Sequence, residues 1–145
     1  MLSYPAKIVR DKREGGYRVS FVDFDNIFTD GETLEEAIHN AEEALNCCSQ
    51  LQCERNKNFP SPSRKKGRNI YQIHLAPPLA VAIILRHMRG KLSTAEIAKK
   101  TGINEQSYKR LENPCQCNPT IKTLEKIAKF YNKNLTVDFK MPNQN

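Results

Sequence analysis

The sequence predicts an α+β protein in which a small domain of strands and one helix precedes a helical domain. Two observations predict this class. Short stretches in residues 4–29 alternate between apolar and polar side chains, and most later apolar patterns have helical spacing. Charge also divides the chain, because residues 1–63 carry 7 Lys and Arg against 11 Asp and Glu, whereas residues 64–145 carry 16 against 5. We therefore expect two domains with different partners, and the basic half suits a polyanion.

The first domain is predicted to follow the order βββαβ. Residues 4–10 and 17–21 alternate on either side of Glu14-Gly15-Gly16, which is typical of a β-hairpin. Residues 22–29 are expected to form a third extended segment that ends in a turn at Asp30-Gly31.

A helix should follow this turn. Thr33 and Glu36 can form a capping box at its start. Its apolar residues keep helical spacing and are Leu34, Ala37, Ile38, Ala41 and Leu45. Its other face carries Glu35, Glu36, His39, Glu42 and Glu43.

Residues 54–69 are basic and rich in proline, so they could link two domains or form a long loop within one. Alternation in residues 70–75 favours the loop, with a fourth strand returning to the first sheet. The predicted domains are then 1–76, including the loop 54–69, and 77–145.

Residues 91–113 predict two short helices joined by a tight turn. Ser93 and Glu96 can form a capping box, and Gly102 can end the first helix in a left-handed conformation. Asn104 can cap the second helix, which would bury Tyr108 and Leu111.

Two further helices and a strand complete the second domain. Residues 79–88 form an apolar, proline-started pattern that ends at Gly90, and another helix opens at Pro119-Thr120. Residues 135–141 alternate strictly and predict a strand. Because a lone strand needs a partner, it either pairs across a two-fold axis in a homodimer or folds back on its own helices.

The second short helix would expose polar side chains of the types that read DNA. Gln106 can pair with adenine, Arg110 with guanine, and Glu105 can accept a hydrogen bond from a cytosine amino group. The alternative is a helical hairpin with an ordinary solvated face.

This two-helix stretch resembles the helix-turn-helix of the phage-repressor (Xre) family. Ala98, Gly102 and the run QSYKRLEN carry the resemblance. It implies binding to double-stranded operator DNA, with Thr94 and the backbone around Asn113 at phosphates. A dimer would place two recognition helices about 34 Å apart on a palindrome. The implied DNA-binding residues are Thr94, Asn104, Glu105, Gln106, Ser107, Lys109, Arg110 and Asn113.

The N-terminal pieces resemble the HicB antitoxin family. They are EGGYRVSFVD, TDGETLEEAIHNAEEAL and FPSPS, in that order, although residues 25–27 depart from the Pro-Gly that is common in the family before the third strand. The resemblance implies a partial ribonuclease-H-like domain that neutralises a HicA toxin, a small basic ribonuclease, by covering it. It also implies an antitoxin that represses its own operon and forms a homodimer or higher homo-oligomer.

Other functions are weighed against this one. A stand-alone transcription regulator, whose first domain senses a ligand or oligomerises, is the main alternative. Asp23 and Asp25 alone are a poor basis for a nuclease, which needs several converging carboxylates. Cys115 and Cys117 have the wrong spacing for a structural zinc site, so we expect no bound metal. We also expect no cofactor and no enzymatic activity. Without a signal core or an apolar run of about 20 residues, we expect a soluble cytoplasmic protein that does not enter membranes.

Overall fold

A computed structural model describes residues 2–55 and 58–139. Its elements are β1 (Ser3–Arg10), β2 (Tyr17–Phe21), β3 (Phe28–Gly31), α1 (Leu34–Glu54), β4 (Ile70–His74), α2 (Pro77–Arg89), α3 (Thr94–Thr101), α4 (Glu105–Leu111) and α5 (Ile121–Phe130). The predicted α+β class and the βββαβ order are confirmed. The internal contacts divide the chain between Ala80 and Val81, so α2 begins before the division. None of the described helices has an apolar stretch long enough to cross a lipid bilayer.

The first unit is a four-stranded antiparallel sheet with α1 packed on one face. The strand order is β3-β2-β1-β4, so that β1 pairs with both β2 and β4. The helix buries every fourth residue from Ala37, and these residues are Ala37, Ala41, Leu45, Ser49 and Cys53. The strands contribute alternate positions to the same core, including Tyr4, Ala6, Ile8, Val19, Phe21 and Ile73.

The third strand differs from the prediction. It covers Phe28–Gly31 rather than residues 22–29, because Phe24 and Ile27 turn inward and are buried before the strand begins. The ring centroid of Phe24 lies 4.9 Å from that of Tyr4. The expected turn at Asp30-Gly31 is also wrong, since these residues pair with Arg18 and Tyr17 in the sheet.

Gly31 is required by packing and not by a turn. A Cβ at this position would collide with the backbone nitrogen of Ala37 and lie 2.8 Å from its Cα. The missing side chain therefore lets β3 approach the first turn of α1. Thr33 Oγ1 caps that turn by accepting from Glu36 N at 3.1 Å, while the Glu36 carboxylate accepts from Glu32 N at 2.9 Å. The predicted capping box is thus only half formed, because Glu36 reaches one residue further back than Thr33.

The strand predicted at residues 70–75 returns to the first sheet and pairs antiparallel with β1, as expected. Residues 58–69, which precede this strand, form no helix or strand, whereas Glu54, the first residue of the predicted loop, is the last residue of α1.

The second unit is a set of helices around one apolar core. Its most buried members are Leu85, Ile97, Tyr108, Leu111 and Ile127. The predicted terminal strand is not formed in the single chain. Residues 135–139 pair with none of the four described strands, and positions 140 and 141 lie outside the described residues. A strand needs a hydrogen-bonded neighbour, and this segment instead leaves Val137 61% and Phe139 95% exposed.

Candidate nucleic-acid interface

The turn between α3 and α4 has the geometry that the sequence predicts. Ser93 Oγ accepts from Glu96 N at 3.1 Å, and Glu96 Oε2 accepts from Ser93 N at 2.7 Å, which completes the capping box. These hydrogen bonds hold the pKa of Glu96 below its usual value. Gly102 ends α3 with φ +70°, a left-handed conformation that glycine adopts without strain.

Asn104 fixes the start of α4. Its Oδ1 accepts from the backbone nitrogens of Gln106 at 3.0 Å and Ser107 at 3.3 Å. This cap satisfies two amides that the helix leaves without carbonyl partners. The side-chain oxygen of Asn104 is therefore already engaged by the protein itself.

The outer face of α4 is polar and accessible. Gln106, Ser107, Lys109 and Arg110 are exposed, whereas Tyr108 and Leu111 are buried in the core, as predicted. Burial raises the pKa of Tyr108, and the nearby Glu112 carboxylate adds to this shift. The helix thus presents one amide, one hydroxyl and two cations on a short rigid support.

Glu105 contacts two of the other predicted DNA-binding residues. Glu105 Oε1 accepts from Thr94 Oγ1 at 3.1 Å and pairs with Lys109 Nζ at 3.1 Å. The hydrogen bond from Lys109, followed by that from Thr94, lowers the pKa of Glu105. One carboxylate therefore links the first turn of α3 to α4 and orients a hydroxyl and an ammonium group on the surface.

Asn113, the last predicted contact residue, is half-buried in the loop after α4. Its Oδ1 accepts from Cys115 N at 3.0 Å, and its backbone nitrogen donates to Arg110 O at 3.2 Å. Its side chain therefore shapes the loop, and its backbone oxygen also accepts from Gln116 N at 3.0 Å.

A largely buried charge pair that positions α4 was not predicted from the sequence. Arg89 Nε lies 2.7 Å from Glu112 Oε1, and Arg89 Nη2 lies 3.0 Å from Glu112 Oε2. Arg86 Nε donates to the backbone oxygen of Glu112 at 3.0 Å. Three hydrogen bonds from Arg86 and Arg89 thus hold Glu112, the residue at the C-terminal end of α4. A Glu at a helix end and two Arg three residues apart are too common to predict this contact from sequence.

The first unit carries a separate acidic surface on α1. Glu35, Glu36, His39 and Glu43 are exposed and Glu42 is half-buried. His39 Nε2 lies 3.5 Å from Glu43 Oε1. In the ranges 2–55 and 58–139, no group of three or more His, Cys, Asp or Glu residues is arranged to hold a metal ion.

Comparison with known proteins identifies the family. A family model described as HicB-like antitoxin of bacterial toxin-antitoxin systems matches residues 3–83, more than half of the chain. The chain belongs to the HicB-like antitoxin family. A second model, a helix-turn-helix, matches residues 85–137 of this HicB-like chain.

Individual relatives agree with both matches. The chain is 29% identical to antitoxin HicB 1 of Photorhabdus laumondii over 136 residues, which cover 94% of this chain and 86% of that protein. It is 32% identical to antitoxin HicB of Escherichia coli K12 over 101 residues, or 69% of this chain and 73% of the relative. The plasmid copy control protein CopR of Streptococcus agalactiae is 38% identical over 66 residues, or 46% of this chain and 70% of CopR.

These matches confirm the family resemblance drawn from the sequence and the presence of a DNA-binding domain. The HicB-like chain is an antitoxin with a C-terminal helix-turn-helix.

Proposed function

We propose that this chain is the antitoxin of a HicA/HicB-type pair. It neutralises a small ribonuclease toxin in the cytoplasm by binding and covering it with residues 1–76, and it represses its own operon through residues 77–145. It carries out no catalysis of its own. The observation that carries this proposal is the presence, on one chain, of a HicB-like unit with an acidic helix surface and a helix-turn-helix with a cationic outer face.

Charge supports the division of labour between the two units. The exposed carboxylates of α1 suit a basic toxin, because complementary potentials speed encounter and fix the orientation of two proteins. The same carboxylates would be repelled by DNA. The toxin is therefore expected on the first unit and the operator on the second.

For DNA, the outer face of α4 supplies the specific contacts. Gln106 and Arg110 would read adenine and guanine in the major groove, and Lys109 and Thr94 would contact phosphates. Glu105 would have two roles. Its carboxylate holds the Thr94 hydroxyl and the Lys109 ammonium group in place, and it could also accept a hydrogen bond from a cytosine amino group. Asn104, Ser107 and Asn113 would support the helix ends and offer phosphate contacts.

We propose that the active form is a homodimer on a palindromic operator. The support is the segment 135–139, which pairs with none of the described strands and leaves its alternating Val137 and Phe139 side chains exposed in the single chain. Pairing this segment with its copy would bury both side chains and satisfy its backbone. Two recognition helices would then meet successive turns of the major groove, about 34 Å apart.

The test is co-expression with the product of a small neighbouring reading frame. We expect the full chain to restore growth to cells that express this product, to co-purify with it, and to bind the region upstream of its own gene. A chain that binds this region but neither restores growth nor co-purifies would instead be a stand-alone transcription regulator, a function that needs only the helix-turn-helix of residues 85–137.

A further inference from the structure

The tip of the loop before β4 is a charged surface distinct from the two surfaces proposed above, which are the carboxylates of α1 and the outer face of α4. Arg64, Lys65, Lys66 and Arg68 place four cations in five positions, and residues 64–69 are all exposed. We call residues 64–68 the basic loop. Residues 1–63, which precede it, have a net charge of −4. The loop therefore concentrates positive charge on a unit whose remaining surface is mainly acidic.

The basic loop is held to the sheet through its backbone. Lys65 O accepts from Gln72 Nε2 at 3.3 Å, and Gly67 O accepts from Ile70 N at 3.2 Å. On its two sides, Ser63 N donates to Asp23 Oδ2 at 3.0 Å, and Asn69 O accepts from Ile8 N at 2.9 Å. Because folding already orders the backbone, the four side chains can meet a partner without the entropy cost of ordering a free loop.

Among the residues that the structure describes, none of the four cations of the basic loop forms a salt bridge with a carboxylate. Arg18 of the same unit behaves differently, since it lies 2.6 Å from Asp11 and 3.9 Å from Glu14. The charge of the loop is therefore available to an outside anion.

We propose that the basic loop is a second phosphate-binding surface, which takes the sugar-phosphate backbone of duplex DNA beside the operator. This inference rests on the operator binding proposed above. Lys and Arg contacts to phosphates add affinity without reading sequence, and they release counterions. Once the second unit has bound the operator, the adjoining duplex is held near the same chain. Its local concentration is then high enough for weak phosphate contacts by the loop to add affinity. Residues 64–69 contain no aromatic side chain on which unpaired bases could stack, which favours duplex DNA over single-stranded RNA.

The test compares two full-length double variants on two duplexes. Lys65→Ala/Lys66→Ala removes two cations from the loop, and Lys12→Ala/Arg13→Ala removes two exposed cations from the β1–β2 turn of the same unit. One duplex ends at the operator edges, and the other extends it on both sides with unrelated sequence. Affinity is measured over a range of salt concentrations, and thermal unfolding checks that both variants fold.

On the extended duplex, we expect the loop variant to bind more weakly and to show a shallower slope of log affinity against log salt. The change is up to about 1.8 for each chain, or about 3.6 for the proposed dimer, because each phosphate contact contributes about 0.9. The control variant should keep the wild-type slope. On the short duplex, the loop variant should match the wild type. Base changes within the operator should lower the affinity of the wild type and that of the loop variant by the same factor.

The same proteins are also titrated with a single-stranded RNA. Three results would overturn the inference: equal weakening by both double variants, a loop variant with the wild-type slope on the extended duplex, or a loss of affinity confined to the RNA. A wild-type protein that does not prefer its operator to a scrambled short duplex contradicts operator binding instead. In that case the slope difference on the extended duplex still decides whether the loop binds phosphates.

Discussion

Arg89 and Glu112 join the end of α2 to the end of α4 through a two-point ion pair, with N–O distances of 2.7 and 3.0 Å. The pair is largely removed from water, since Glu112 is only 6% exposed. A guanidinium that faces a carboxylate with two parallel bonds fixes both distance and orientation. The last turn of the recognition helix is therefore held to its neighbour by charge as well as by apolar packing.

Replacing Glu112 with Ala should destabilise the second unit strongly. The change leaves the half-buried Arg89 without its carboxylate, and removing one partner of a buried pair costs about 3 kcal/mol. Urea denaturation would measure the loss of unfolding free energy. Operator affinity should fall as well, because α4 loses the contact that orients its end.

Glu125→Ala is the matched control for this prediction. Glu125 pairs with Lys129 at 3.3 Å on the surface of α5, with both side chains more than half exposed. Exposed pairs contribute about 0 to 1 kcal/mol. If Glu112→Ala and Glu125→Ala lower the free energy of unfolding by the same amount, the Arg89–Glu112 pair contributes no more to stability than an exposed pair.

On the recognition helix, Arg110→Ala or Gln106→Ala should each cost about 1 to 3 kcal/mol of specific operator binding. Both side chains are exposed and outside the core, so folding and toxin neutralisation should stay intact. Binding is measured on the operator and on single-base variants of it. Lys109→Ala is the comparison, since loss of a phosphate contact should weaken binding to all sequences alike. Abolished neutralisation in either variant would contradict the assignment of separate surfaces.

Gly31→Ala should destabilise the first unit through a backbone collision. The added Cβ meets the main chain of Ala37, which cannot rotate away, and overpacking of this kind costs about 1 to 3 kcal/mol. Gly15→Ala is the control, because a Cβ there meets nothing within 4 Å and the cost arises only from its φ of +77°. Chemical denaturation compares the two, and a Gly31 variant as stable as the wild type would exclude a tight contact between β3 and α1.

Local signals were sufficient for much of this structure. The hairpin, the capping box at Ser93, the left-handed Gly102 and the Asn104 cap each depend on residues close together in sequence, and all were predicted correctly. Predicted faces of the helices were also correct, because burial follows helical spacing when one side of a helix meets the core.

Errors arose where distant residues decide the structure. β3 starts late because Phe24 packs on Tyr4, and Gly31 lies in a strand because α1 approaches it. The Arg89–Glu112 pair and the hydrogen bond between Thr94 and Glu105 join different helices, so spacing along the chain could not reveal them. The predicted terminal strand is absent at residues 135–139 because no described strand lies beside them, which alternation along the chain could not reveal.

The exposed tail leads to a prediction about assembly. Val137→Asp should shift the protein from dimer to monomer, because a carboxylate in the paired segment would lose its water without gaining a partner. Light scattering at micromolar concentration measures the mass. Thr136→Asp changes the neighbouring exposed position, on the opposite face of an extended segment, and should disturb the dimer less. A wild-type protein that is monomeric would refute the proposed dimer.

Alkaline pH should weaken the first unit through Tyr4. Burial, followed by the nearby Asp23, raises the pKa of this phenol to about 12 from an ordinary value of 10.0. The phenol of Tyr4 therefore ionises at lower pH in the unfolded chain than in the folded one. The stability gained by burying the neutral phenol is complete below pH 10.0 and is lost as the pH rises through about 12.

Tyr4→Phe tests this prediction. The change removes the hydrogen bond to Pro60 O, 2.9 Å long, and should cost about 1 kcal/mol at neutral pH. Above pH 10.0 the unfolding free energy of the wild type should fall more steeply than that of Tyr4→Phe, and the two curves should converge. Parallel curves would mean that Tyr4 titrates alike in the folded and unfolded chains.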